Sequence, residues 1–339
     1  MTKVTMKDVA RTAGVSVATV SHVINDTHYV SPNLKARVEQ AIKSLNYRPD
    51  KIARALNTKG IPLLALIVPD ISNPYWSSVA RAIQDVTDKY NYSVIVCSSD
   101  GILEREIRFL CSLTGWVSGV IFHPYHVSHE KVREIIGDDL PVVILGDFTS
   151  KVEQAENWDH ILSNNLESAR TVVEYLMQLG HRRIAFIEGP EGTPTSMNRL
   201  AGYRKAFEVS SNPVHEELIV PGDYTREGGR KGMRILFDLM DPPTAVFCAN
   251  DLSALGALEV ARQKGFRVPE DISIVGFDDI DEAAHASPPL TTIRQPPDYV
   301  GTITAETLIE RLKGREKPAR VYIQGSFIVR ESTAPPRAT

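Results

Sequence analysis

From residue 61 onward the chain alternates short apolar runs with stretches of helical periodicity, and this alternation limits its fold more than any other feature. The runs are LLALIVP, SVIVCSS, SGVIFHP, PVVILGD, RIAFIEG, AVFCAND and ISIVGFDD. Helical patterns such as 76–90, 104–114, 165–179 and 199–209 separate them. Strands that are apolar on both sides must be covered on both sides, so the pattern predicts parallel sheets with helices on each face. There are enough strands for two such sheets. Polar residues collect where the runs end: Asp70, Ser98-Ser99-Asp100, Asp147, Asn250-Asp251 and Asp278-Asp279. In open parallel sheets the carboxyl ends of the strands are where ligands bind.

The first sixty residues follow another plan. Thr5 and Asp8 have the spacing of a helix capping box, with Asp in place of Glu. Val9, Ala10 and Ala13 make one apolar face, Gly14 supplies a turn, and Ser16 can cap a second helix whose inner face carries Val20 and Val23. A small residue at Ala10, a turn glycine four residues on and an aliphatic six further on are what a helix-turn-helix needs to pack. A third helix is predicted from Ser31 and Pro32 to about Leu45. Residues 50–56 contain helix formers but are too short to hold a helix alone. Residues 1–60 carry ten Lys or Arg against four Asp or Glu, a net of +6, whereas the whole chain is −4. A basic head on an acidic body points the head at phosphate.

Other chemistries find little support. No G-x-G-x-x-G follows a strand, and Gly228-Gly229-x-x-Gly232 reads as a loop or helix start rather than a phosphate cradle. No G-x-S-x-G or H-E-x-x-H is present. Cys97, Cys111 and Cys248 lack metal-ligand spacing and are expected as reduced thiols. His123, His126 and His129 recur every third residue, but Pro124 prevents a helix that would align them, and no metal is expected. No signal peptide is visible, and no apolar run approaches the ~20 residues of a membrane span. A cytoplasmic protein without a membrane partner is expected.

VTMKDVARTAGVSVATVSHVIN and YVSPNLKARVEQAIKSLNYRPDKIARAL resemble the DNA-binding head and hinge of the LacI/GalR family of bacterial transcriptional repressors. The resemblance continues through NPYW, LGHRRIAFIEGP, RLAGYRKAF, AVFCANDLSALGAL, VPEDISIVGFDD, PPLTTIRQP and VRESTAPP, in family order. It implies an all-α helix-turn-helix head and an α/β body of two doubly wound parallel-sheet lobes, like periplasmic sugar-binding proteins. The expected domains are the head at 1–48, a hinge at 49–60 and the body at 61–331. Lobe one takes 61–162 and 294–319, lobe two takes 163–293 and 320–331, and 332–339 is a tail.

By the same resemblance the second helix enters the major groove of double-stranded operator DNA. Val17, Ala18 and His22 would read bases, and Ser16, Thr19 and Ser21 would lie near phosphates. Thr5 and Asn25 complete the expected contacts of the head, and Ala53 and Leu56 those of the hinge, where Leu56 would wedge into the minor groove. Only His22 among the base readers can hydrogen-bond a base edge. Many relatives carry Arg there, and a purine-repressor-like subgroup carries His.

The implied effector contacts are Arg199, Asn250 and Asp278, with Tyr224 as an aromatic lid and Asn73, Tyr75 and Trp76 in the first ligand loop. Many relatives have Asp where this chain has Gly146, so Asp147 is carried as a candidate in its place. Ser163 and Asn164 also depart from the family pattern. Carboxylates and amides with an Arg and aromatics suit a sugar or sugar derivative; a purine or nucleoside is the alternative. No cofactor is implied. The leucine-repeat tail that tetramerises some relatives does not follow VRESTAPP, so a homodimer is expected. An enzyme with a DNA-binding head lacks a nucleophile, base or metal constellation. A solute-transport protein is opposed by the basic head and the missing signal peptide.

Overall fold

The computed structural model describes residues 4–25, 28–47, 62–146, 158–210 and 212–337, in two units divided after Ile61. In the first unit, helix α1 (Met6–Ala13) opens on the expected cap. The Thr5 backbone N–H and hydroxyl both donate to the Asp8 carboxylate, at 2.9 and 2.6 Å. Gly14 ends the helix at φ +63°, the left-handed state that glycine adopts without penalty. Ser16 Oγ then accepts the Thr19 N–H at 3.0 Å, starting α2 (Val17–Asn25). Helix α3 (Pro32–Ser44) closes a core of Val9, Ala10, Ala13, Val20, Val38, Ala41 and Tyr47. Arg37 on α3 donates to the Ala13 carbonyl at 2.6 Å and so clamps the turn. Ser31, expected as the cap of α3, makes no side-chain capping bond. The hinge, with Ala53 and Leu56, lies outside the described residues.

Among its described residues the second unit has twelve strands. They are β1 (Leu63–Val68), β2 (Ser93–Ser98), β3 (Gly119–Phe122), β4 (Val142–Leu145), β5 (Asp159–Ser163), β6 (Ile184–Ile187), β7 (Ile219–Val220), β8 (Ala245–Cys248), β9 (Ser273–Val275), β10 (Thr292–Arg294), β11 (Arg320–Ile323) and β12 (Ser326–Ile328). Lobe one is a parallel sheet in the order β11-β5-β4-β3-β1-β2, and lobe two a parallel sheet in the order β7-β6-β8-β9. Side chains alternate across each strand. Leu64, Leu66 and Val68 join one core, while Ala65 and Ile67 join the core on the opposite face. In lobe two Ala185 and Ile187 face one way and Ile184 and Phe186 the other. This two-sided burial is the expected doubly wound architecture. Among the described residues no helix is long and apolar enough to cross a membrane.

Two expectations about the domains need correction. Residues 320–323, assigned to lobe two, form β11 and pair in parallel with β5, so they complete the sheet of lobe one. Residues 332–334, assigned to a tail, are stitched into lobe two: the Ile274 N–H donates to the Ser332 carbonyl at 2.9 Å, and Ser332 is fully buried. Strand β5 has no counterpart among the seven apolar runs because its sequence, DHILS, opens with two polar residues, both buried. The glycine cluster is the start of the helix Arg226–Phe237, the second of the two readings left open. A Cβ on Gly229 would lie 2.0 Å from the Ser253 carbonyl oxygen. The cluster brings two helix backbones together.

Candidate functional site: an interlobe cavity and a helix-turn-helix

Both sheets change direction of winding at their second strand in space, lobe one between β1 and β3 and lobe two between β6 and β8. Loops leaving such neighbouring strands diverge to opposite faces and leave a crevice at the carboxyl ends. Residues from both lobes line a cavity of about 70 Å³ at this place. Asn73, Tyr75 and Trp76 come from the segment after β1, Arg199 from the helix Pro194–Ser210 after β6, and Tyr224, Asn250 and Asp278 from the loops after β7, β8 and β9. Seven of the eight sequence-derived effector residues therefore surround one cavity. The eighth, Asp147, lies outside the described residues.

At the centre is a buried ion pair. Arg199 is 3% exposed and Asp278 6%, and Arg199 Nη2 lies 3.6 Å from Asp278 Oδ1. Arg199 Nε donates to Asn165 Oδ1 at 3.0 Å, and Nη1 donates to the Ala249 carbonyl. Its guanidinium sits 3.6 Å from the centre of the Phe277 ring. The Asp278 carboxylate accepts from Gln295 Nε2 at 3.0 Å. Burial raises the Asp278 carboxyl to about 6, while Arg199 and Gln295 pull it down. The 3.6 Å gap is wider than a tight charge-assisted hydrogen bond, and a carboxylate has capacity for further donors. Asp278 and Tyr224 both hold positive φ, 118° and 64°, backbone states that non-glycine residues keep only where the surroundings enforce them.

The other expected contacts are partly committed to the protein itself. Asn73 Oδ1 caps the helix Pro74–Thr87 by accepting the Tyr75 N–H at 3.0 Å. Asn250 Oδ1 caps the helix Asp251–Gln263, and its amide donates to the Tyr224 carbonyl at 2.9 Å. Asn250 thus sets the loop that presents the Tyr224 ring. Asp251, its neighbour, faces inward: it accepts from Thr292 Oγ1 at 2.6 Å and the Ile280 N–H at 2.9 Å, and burial raises its carboxyl to about 7.

Sequence reasoning missed His123 and Tyr125 as cavity residues, and also Asn165, Thr195 and Gln295. His123 and Tyr125 follow β3, at a strand exit like the other contacts, which was the available signal. Buried Glu106 holds this loop, accepting N–H groups from Tyr125 at 2.7 Å and Val127 at 2.9 Å. Tyr125 faces Tyr224 across the cleft, with ring centres 6.4 Å apart. The two rings, with Asn73 and Trp76, line both the inner cavity and an outer cleft of about 460 Å³ that contains Asp70, Asp100 and Asp223. No group of three metal-ligating side chains occurs among the described residues; His123 lines the cavity, whereas His129 begins the helix His129–Ile136.

In the head, Val17 and Ala18 lie exposed at the first turn of α2, and Val17 is 41% exposed. Thr5 and Ser16 are exposed, while Thr19, Ser21 and His22 are half-buried. The His22 ring packs against His28 with centres 4.4 Å apart. Asn25 ends α2. A short-residue helix start with an exposed apolar pair can approach a groove floor closely.

Comparison with known proteins agrees with both units. Residues 5–50 match the model for bacterial regulatory proteins of the lacI family, and residues 173–333 match a periplasmic binding protein-like domain. The HTH-type transcriptional repressor PurR of Vibrio atlanticus is 34% identical over 97% of this chain and 98% of its own length. Among solved structures, the Lac repressor dimer bound to operator and the anti-inducer ONPF is 28% identical with a TM-score of 0.84, over 98% of this chain and all of that one. The CelR transcriptional regulator in complex with cellobiose is 31% identical with a TM-score of 0.72, over 97% of this chain and all of that one. A helix-turn-helix head, two doubly wound lobes and this near full-length likeness together place the chain in the LacI family of bacterial regulatory proteins, as a DNA-binding transcriptional repressor.

Proposed function

We propose that the protein represses transcription as a homodimer on a two-fold operator and is switched by a small polyhydroxyl effector, a sugar or sugar derivative, held between its lobes. The observation that carries the effector reading is the buried Arg199–Asp278 pair, open at 3.6 Å, inside a cavity walled by Trp76, Tyr125 and Tyr224. Carboxylate, guanidinium and aromatic faces match the hydroxyls and ring faces of a carbohydrate. The same aromatic walls also suit a flat base, so a purine or nucleoside is the second reading. Asn73, Tyr75, Trp76, Arg199, Tyr224, Asn250 and Asp278 are the proposed contacts. We read the cavity as regulatory rather than catalytic, in keeping with repressor relatives of nearly the same length.

On the DNA side, Ser16, Thr19 and Ser21 are assigned to phosphates and Val17, Ala18 and His22 to bases. The His22→Arg variant is expected to change the preferred base at one position per half-site, by about 1–3 kcal/mol. Selection from a random DNA pool checks this; the same motif from wild type and variant would remove His22 from the base readers. Binding should also weaken steeply with salt, because the basic head displaces counterions.

Dimerisation is assigned to the outer edge of lobe one. Strand β2 is an edge strand, and Ile95 and Val96 on it, with Ile71, Ile102 and Leu103 nearby, are between 37% and 41% exposed. An apolar edge of this kind invites pairing. Val96→Asp is expected to convert the dimer to monomer in sedimentation. A variant that remains dimeric at the same concentration would place the interface elsewhere.

A further inference from the structure

Among the described residues the chain crosses between the lobes three times, at 163–165, 294–297 and 323–326. Each crossing is bonded to one short unit, the consecutive Asp278 and Asp279 after β9 with Arg199 beside them. At the first crossing Asn165 Oδ1 accepts from Arg199 Nε at 3.0 Å, and Arg199 faces Asp278. At the second, the Asp278 N–H donates to the Ile293 carbonyl at 2.7 Å, and the Gln295 N–H donates to the Asp278 carbonyl at 3.2 Å. There too Asp279 Oδ2 accepts from Arg294 Nε at 2.6 Å. Beyond the third crossing, Asp279 Oδ1 accepts from Arg330 Nη2 at 2.6 Å. Arg330 is itself seated, donating through Nη1 to the Leu290 carbonyl at 2.8 Å. Asp278 lines the cavity and Asp279 does not; the Asp279 side chain, 5% exposed, lies between the two arginines. Its φ of 59° follows the 118° of Asp278, so both carboxylates stand on left-handed backbone.

We infer that Asp279 is a positioning residue of the effector switch: it acts through Asp278 and carries a change at the cavity to the crossings on which the lobes turn. The inference rests on the interlobe effector reading. Asp278 and Asp279 share one peptide unit, which is planar and stiff. A ligand that draws the Asp278 side chain therefore turns the backbone that carries Asp279. Asp279 has one oxygen on each arginine, through short charge-assisted bonds whose geometry is directional. Breaking either bond would leave a buried carboxylate oxygen unpaired, which is costly. The carboxylate thus moves with Arg294 and Arg330 rather than away from them. Coupling between two sites needs such a physical element, one that both sites bias.

Asp279→Asn keeps the shape of the side chain, removes its charge, and tests this in the full-length protein. The probe is whichever of D-ribose, cellobiose and adenosine binds wild type in calorimetry and changes its affinity for an operator recovered from the random DNA pool. In wild type, saturating probe should change operator affinity by about 5–150-fold, the usual range of coupling between sites. In Asp279→Asn that ratio should fall to within about twofold of one, while probe affinity without DNA stays within about threefold of wild type. Arg330→Met should lower the ratio likewise, and Arg330→Lys, which keeps the charge, should retain more of it than Arg330→Met. A structural role alone predicts the reverse: Tm, probe affinity and operator affinity fall together and the ratio is kept, which overturns the inference. Loss of probe binding in Asp279→Asn as large as in Asp278→Asn also overturns it, since Asp279 would then belong to the contact set. If Asp279→Asn does not fold, the Arg330 variants decide, and a wild-type ratio in Arg330→Met overturns the inference. If none of the probes binds wild type and shifts its operator affinity, the polyhydroxyl and nucleoside readings fall and the Asp279 role with them. If a probe does so and the ratio survives in the variants, the effector reading stands and the Asp279 role alone falls.

Discussion

Replacing Asp159 with alanine is expected to destabilise the body by about 3–5 kcal/mol. Asp159 is the first residue of β5 and is fully buried. Its carboxylate meets Arg311 Nε at 3.2 Å and Arg315 Nη1 at 2.9 Å, and accepts the Ala319 N–H at 2.6 Å. It therefore ties β5 to the end of the helix Pro297–Leu312 and to the loop that delivers β11. Removing it takes from Arg311 and Arg315, 13% and 23% exposed, the fully buried carboxylate they share, while Arg315 keeps the exposed Glu310 at 3.1 Å. Losing a fully buried counter-charge, rather than a solvent-screened attraction, makes the effect large. Urea unfolding of wild type, Asp159→Ala and the triple variant Asp159→Leu/Arg311→Met/Arg315→Met distinguishes the causes. The triple variant should recover much of the loss, because it removes the charges as a set. A loss below about 1 kcal/mol in Asp159→Ala would mean that the triad is solvated and weak.

Replacing Asp278 with alanine is expected to abolish the effect of the effector on operator binding and to weaken effector binding by tenfold or more. Each hydrogen bond to a charged group contributes about 1.5–3 kcal/mol, and the carboxylate can accept more than one ligand hydroxyl. Wild-type affinity for a neutral hydroxyl ligand should also depend on pH. The Asp278 carboxyl is raised to about 6 by burial, so it takes up its proton as pH falls through 6. A ligand that donates to the ionised carboxylate binds the deprotonated protein better, so affinity rises from pH 5 to pH 7 and levels off above. The groups facing Asp278 do not reverse this sign. Gln295 does not titrate, and His123 changes charge only near 4. Asp251 is raised to about 7 and repels Asp278 when ionised, which broadens the transition. Calorimetry at several pH values checks the profile. Asp278→Asn should flatten it, and an equally steep profile in that variant would assign the titration to another group.

The sheets were legible because their strands are apolar on both faces, which leaves little alternative to a covered parallel sheet. The helix-turn-helix was legible because Ala10, Gly14 and Val20 are each demanded by packing at fixed spacing. What escaped were elements whose stability comes from partners far away in sequence. Strand β5 begins with Asp159, which reads as a turn residue until Arg311 and Arg315 are seen to neutralise it. Strand β11 is polar and exposed along one side, with Tyr322 71% exposed, and only its pairing with β5 reveals it. The cavity was half legible. Arg199 and Asp278 follow strands and match a family motif, whereas His123 sits in FHPYHVSHE, where three spaced histidines suggested a metal question instead. Its place in the cavity follows from Trp76 and Gly146, which no local pattern connects to it.

The late return of the chain to lobe one has a consequence during biosynthesis. The interior strands of lobe two are made in one continuous stretch, from β6 to β9, but lobe one waits. Its sheet lacks β11, and the face carrying Leu64 and Leu66 lacks Ala305 and Leu308 of the helix Pro297–Leu312, until that segment leaves the ribosome. While lobe two is being made, then, β5 is an uncovered sheet edge beside an uncovered apolar face, a pairing that favours aggregation of nascent chains. Ribosome pausing after β5 is made and before the helix Pro297–Leu312 and β11 have left the ribosome would lengthen that exposure.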